Sequence, residues 1–144
     1  MGQKASFAVV LFCVLLQAVD YAIIFPSLWL YLLDIQPDIE EFFLGLVIGV
    51  FGLTAMIVSP FVGWWLDKRP MKEVLVLLTS VSSLGMLLYA MAPNVWVVLV
   101  SRAMCGIGGT IFSAANLYII RITTQDQRSG MFAKVNLIMM IGFI

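Results

Sequence analysis

From Phe7 to Leu33 the chain holds a single charged residue, Asp20. The run exceeds the roughly 20 apolar residues a helix needs to cross the hydrocarbon of a bilayer, so the segment is a membrane span with an acid near its middle. A carboxyl at that depth costs about 2.5 to 3.5 kcal/mol on insertion scales. A helix that keeps one is predicted to use it. Lys4 ahead of an apolar stretch resembles a secretory leader, but the hydrophobicity continues far past a leader core and no small-residue cleavage pattern follows. The helix therefore reads as retained.

Hydropathy gives four complete spans, at about 7–32, 42–66, 73–92 and 95–120. With 62% of the chain hydrophobic and only 11% charged, too few polar residues remain to clothe a soluble core. The fold class is thus an all-α, multi-pass integral membrane protein whose first partner is the lipid bilayer. Eight basic and eight acidic residues cancel, leaving no basic surface for nucleic acid. There is no histidine and no Cys, Asp or Glu set at metal-ligand spacing, so no enzyme, metal site or cofactor is expected. Cys13 and Cys105 lie inside apolar runs and read as small buried hydrophobes.

The links alternate in charge. Asp34 to Glu41 is acidic, Asp67 to Glu73 carries Lys68, Arg69 and Lys72, Ala92 to Asn94 is a minimal turn, and Arg121 to Ser129 carries Arg121 and Arg128. Basic links and Lys4 share one side, which the positive-inside rule makes cytoplasmic, together with the N-terminus. A fifth apolar segment starts near Met131, with Lys134 and Asn136 in it, and the sequence stops at Ile144 before that segment could cross. The expectation is a chain that ends in mid-helix, with Lys134 snorkelling to the near interface.

Small and polar residues recur on one face of each span. On the first, Gln17, Asp20, Ser27 and Tyr31 form a polar stripe with Cys13, broken by Ile24, and Pro26 removes a backbone hydrogen bond just past the acid. On the second, Gly45, Gly49, Gly52, Ser59 and Gly63 share a stripe suited to close helix packing. Such a stripe serves either ordinary packing or a moving contact between two half-domains. On the fourth, Arg102, Gly106, Gly109, Ser113 and Asn116 step by four and three, so Arg102 is predicted to face protein or a water-filled cavity. Gly106-Ile107-Gly108 matches part of a dinucleotide loop by letters alone, with no strand before it.

Helix rise puts Asp20 and Arg102 within about one turn of each other in depth. The expectation is that they line one cavity and are coupled. Two readings stand: a pair whose separation switches the protonation of Asp20, or a static ion pair that fixes helix packing.

Gly63-Trp-Trp-Leu-Asp67-Lys68-Arg69-Pro70-Met71-Lys72, between the second and third spans, resembles the loop signature G-x-x-x-D-[RK]-x-G-[RK]-[RK] of the major facilitator superfamily, and Arg102 with Gly106 resembles its R-x-x-x-G motif. Pro70 and Met71 depart from the signature. Pro26-Ser-Leu-Trp-Leu-Tyr31-Leu, Arg69-Pro-Met-Lys-Glu73, Leu88-Tyr-Ala90, Ser101-Arg102-Ala, Gln127-Arg128-Ser and Gly142-Phe-Ile144 add a closer likeness to a lysosomal branch of that superfamily.

The resemblance implies a transporter of two six-helix halves with a small-molecule or ion substrate bound between them near the midplane, access alternating as the halves rock. This chain would be the first four helices and the start of the fifth, its partner the missing C-terminal half. Gln17, Asp20, Ser27, Tyr31, Arg102 and Asn116 would line the cavity, where Arg102 favours a negative group. Gly63, Asp67, Lys68, Arg69 and Lys72 would form the conformational switch loop, with Asp67 and Lys68 tying the two halves together and Arg69 standing in for the missing base. Gly45, Gly49, Gly52, Gly106 and Gly109 would serve helix packing, and the second helix's stripe would face the other half. Two other classes stay open: a small non-transporting membrane protein or regulatory partner, and an anion channel.

Overall fold

A computed structural model describes residues 3–143, all helical apart from short links. The side chain of Lys4 and all of Ile144, both used above, lie outside the described residues. In order, the helices are α1 (Gln3–Ile35), α2 (Glu41–Lys68), α3 (Met71–Ala90), α4 (Val95–Gly109), α5 (Ile111–Ile122) and α6 (Gln125–Phe143). Four stretches are long and apolar enough to cross a membrane: Phe7–Ile35, Glu41–Lys68, Met71–Ala90 and Val95–Ile122.

Two boundaries differ from the sequence expectation. The span expected as one helix over 95–120 is interrupted at Thr110, whose N–H (3.3 Å) and Oγ1 (2.7 Å) both donate to the Ile107 carbonyl. Three glycines just before it, at 106, 108 and 109, lower the helix propensity there, and a threonine hydroxyl competes for the backbone. The last helix starts at Gln125, not near Met131, so Arg128 lies on a helix. Asp126 in its first turn suits the positive end of the helix dipole. By contrast α1 runs unbroken through Pro26 and α2 through Pro60.

Short links turn the chain sharply. Pro70 excludes Arg69 from the helical region, so Arg69 takes an extended conformation (φ −127°, ψ 154°) and α2 stops. The α2–α3 link carries the basic residues and the α1–α2 link the acidic ones, which names the two ends of the bundle here.

The exterior is apolar: Leu30 and Trp96 are each 70% exposed, the arrangement of a helix bundle facing lipid. Inside, α4 packs mainly on α3 and α2, while α1 packs mainly on α6. The buried apolar side chains form two separate clusters. One, at the acidic end, joins Ile24, Leu28 and Leu32 of α1 to Val47 of α2 and Val95, Val98 and Leu99 of α4. The other, at the basic end, joins Val10 and Val14 of α1 to Val62 and Leu66 of α2, Leu78 of α3 and Ile119 of α5. The buried polar side chains among the described residues are Ser82, Ser101, Arg102, Thr110 and Thr123, and Ser82 and Arg102 among them position the site.

Candidate functional site

Arg102 is the deepest charge. It is only 5% exposed, placed by a helix whose neighbours Ser101, Cys105, Gly106 and Gly108 are buried as well. Its guanidinium carbon stands 4.8 Å from the centroid of the Tyr89 ring. That ring packs on Tyr31 at 4.8 Å, and the Tyr31 hydroxyl donates to the Tyr89 carbonyl at 2.7 Å, satisfying an acceptor at the end of α3. The contact with the ring is worth about 2 kcal/mol when desolvated. Yet Nε and Nη2 of Arg102 make no hydrogen bond among the described residues. A buried donor left unmade costs about 1 to 3 kcal/mol, more when charged, so the ring alone does not offset the burial of this cation.

One turn towards the basic end, the helices approach so closely that side chains are excluded. A Cβ on Gly106 would sit 2.5 Å from the Phe51 carbonyl oxygen of α2, and one on Gly108 would sit 2.4 Å from Ser82 Cβ of α3. Gly109 lies against the Phe51 ring. Here Ser82 Oγ donates to Gln17 Oε1 at 3.4 Å, so Gln17 and Gly108 mark one level of the bundle.

From that level the depth of the other groups follows. Arg102 lies six residues back along α4, about 9 Å towards the acidic end, and Asp20 three residues on along α1, about 4.5 Å in the same direction. The α1 residue six on from Gln17 is exposed Ile23, and its buried neighbour Ile24, the apolar break in the predicted polar stripe, lines the same cleft as Arg102. Consistent with this, no ion pair joins Asp20 to Arg102 among the described residues. The half-buried Asp20 and Arg102 meet only indirectly, both lying within electrostatic reach of Cys105. The expected direct pairing is thus replaced by an arginine–tyrosine stack and a separate acid.

A cleft between α1 and α2 opens on Arg102, walled by Tyr21, Phe25 and Leu28 on one side and Val47 and Phe51 on the other. It encloses about 20 Å³ of water-sized space, enough for one water or a group of similar size. Arg102 is the sole charged residue on its wall.

The other predicted cavity residues divide. Tyr31 supports Tyr89 and so belongs to the arginine's surroundings. Ser27 is exposed and spends its hydroxyl on its own helix, donating to the Ile23 carbonyl at 2.8 Å and the Ile24 carbonyl at 3.2 Å. Asn116 is half-buried on α5 past the break, among the side chains of the basic-end cluster and about 21 Å of rise from Arg102. It does not share the cleft.

The loop residues also differ from expectation. Asp67 pairs with Arg121 of α5, and Arg121 Nη1 donates to the Leu66 carbonyl at 2.8 Å. Arg69, expected to stand in for the missing base, faces Glu73 at 3.7 Å. Lys68 lies over the Trp64 ring at 4.0 Å, Lys72 is exposed and Gly63 has nothing within 4 Å of a Cβ. Likewise Gly45, Gly49 and Gly52 meet no neighbour within 4 Å, so the packing expected of them is not made among the described residues.

Tyr89, Ser82, Phe51 and Arg121 were not singled out from sequence. For Arg121 a signal existed: its charge is opposite to that of Asp67 at the same end of the bundle. For the other three there was none.

The model of the Major Facilitator Superfamily matches residues 10–144. The chain is similar to Major facilitator superfamily domain-containing protein 8 of Xenopus laevis, 29% identical over 144 residues, covering 96% of this chain and 28% of that protein. It is also similar to Multidrug resistance protein 2 of Bacillus subtilis (29% over 102 residues, 70% of this chain, 26% of the relative). A third relative is Quinolone resistance protein NorA of Staphylococcus aureus (28% over 137 residues, 94% and 35%). The chain thus spans about a third or less of the length of these relatives.

Proposed function

The chain belongs to the Major Facilitator Superfamily, and on that premise we propose that it forms the first helices of a secondary active carrier working by alternating access, completed by a C-terminal half. The observation that carries this reading is the set of buried or half-buried polar groups Gln17, Asp20, Ser82 and Arg102 inside the helix bundle, of which Arg102 opens on a cleft between α1 and α2. Polar groups at membrane depth serve solutes or ions, and carriers of this kind bind their solute near the midplane.

Asp20, without the cation expected beside it, is the proton-exchanging group, and the Asp67–Arg121 pair holds the switch loop on its own half until the halves move. The open glycine face of α2 meets the other half. The N-terminus is cytoplasmic, because basic links share its side, and the likeness to domain-containing protein 8 supports an endomembrane, lysosomal setting.

The test is solute uptake into proteoliposomes holding the protein made from its full coding sequence. Saturable uptake that loses its pH dependence in Asp20→Asn, with folding retained, is the expected outcome. Unchanged pH dependence in that variant removes the proton role. Current that does not saturate with solute makes the protein a channel.

A further inference from the structure

The α1–α2 cleft has a single cation, Arg102, on an otherwise uncharged wall. Arg102 is only 5% exposed, its Nε and Nη2 are closed off behind the Tyr89 stack without a hydrogen-bond partner among the described residues, and it is the one charge on a wall otherwise made of aromatic and aliphatic side chains. A buried guanidinium gains most from a planar, two-oxygen acceptor that takes parallel N–H groups. The enclosed space, about 20 Å³, admits one water-sized group such as a single carboxylate oxygen, the rest of the group lying in the open part of the cleft. Outside it, Phe25 (59% exposed) and Ile48 (38% exposed) extend the apolar wall to the surface, where a ring or branched chain attached to that carboxylate would lie.

We propose that this cleft is a subsite for small organic carboxylates, the carboxylate on Arg102 and the apolar body over Phe25 and Ile48. The proposal rests on the carrier reading and adds the solute class to it. It excludes cations, since Arg102 has no ion-pair partner among the described residues and would repel them, and it excludes simple halides as the preferred ligand, since they have no body to cover the apolar flank.

The protein made from its full coding sequence, purified in detergent, is titrated with benzoate, benzyl alcohol, benzylammonium and chloride at matched ionic strength, and its thermal unfolding midpoint is followed. The expected result is a saturable rise with benzoate alone. Arg102→Gln should weaken the apparent benzoate affinity by about tenfold to a hundredfold, the loss of a charge-assisted hydrogen bond. Should that variant not fold, Ile48→Trp, which fills the mouth of the slot at a partly exposed position, should abolish the rise while leaving the ligand-free midpoint near wild type. Equal stabilisation by benzyl alcohol, benzylammonium or chloride overturns the proposal, as does a benzoate response that survives these substitutions. Uptake assays separate it from the carrier reading. Saturable uptake of benzylammonium but not benzoate leaves a carrier and removes the carboxylate site, whereas benzoate binding without uptake of any probe leaves the site and removes the carrier.

Discussion

The two faces of α2 are built of similar letters and do opposite things. Towards α4 it offers Val47, Phe51 and Thr54, and the partner's glycines make room: Gly106 lies so close to Phe51 that a Cβ would reach 2.5 Å from its carbonyl oxygen. On its other face α2 itself carries the glycines, Gly45, Gly49 and Gly52, and each has nothing within 4 Å. A small residue in a membrane helix is therefore an opportunity for close approach, realised only where a second backbone arrives. The first face is a helix contact made within this chain; the second meets no neighbour among the described residues.

That contrast is sharpest under one substitution made on both sides of it. Gly106→Ala should give the largest effect, a loss of about 1 to 3 kcal/mol from overpacking, because the atom met is backbone and cannot swing aside; a fall in the thermal midpoint of the detergent-solubilised protein measures it. Next in size, Arg121→Ala should cost about 1 to 2 kcal/mol, since it removes the donor to the Leu66 carbonyl as well as the ion partner of Asp67. The same melting experiment reads it.

Gly49→Ala should go the other way, gaining about 0.5 to 1 kcal/mol from reduced backbone freedom of the unfolded chain. A loss of stability there in the protein made from its full coding sequence would mean that a neighbour fills this face permanently, and the contrast drawn here would fail. Asp67→Ala should have the smallest effect on stability, within about 1 kcal/mol of zero, because both partners of the ion pair are substantially exposed. Its expected signature is a lowered uptake rate in proteoliposomes with an unchanged melting midpoint.

How far the chain could be read in advance depended on whether a feature was local. The spans were legible because crossing a bilayer imposes a length and an apolar composition that any window of sequence displays. Arg102 was legible as a functional candidate for the same reason, a charge where charges are expensive. Its partner was not. Helix rise put Asp20 within a turn of it, but the register between α1 and α4 is set by where Gln17 meets Ser82 and where Gly108 lets α3 approach. That register leaves Asp20 about 4.5 Å nearer the basic end than the arginine, whose cleft Ile24 lines. The break at Thr110 was hidden too, because glycines in a membrane helix are compatible with a straight run, and the Thr110 bonds to the Ile107 carbonyl have no signature in sequence. Asn116 had the right angular spacing, but it lies about 21 Å of helix rise from Arg102, too far along the bundle to share the cleft.

What the sequence determined by itself is the solvent the chain folds in, the number of crossings and the sign of the charge at each end, since these follow from transfer free energies that add residue by residue. The tertiary structure decided which polar groups meet. Tyr89 rather than Asp20 faces Arg102, and Arg121 rather than Lys68 or Arg69 holds Asp67. The reason is that a pairwise contact between helices depends on register and close approach to within a few ångströms, and those are fixed by the packing of side chains far apart in the chain.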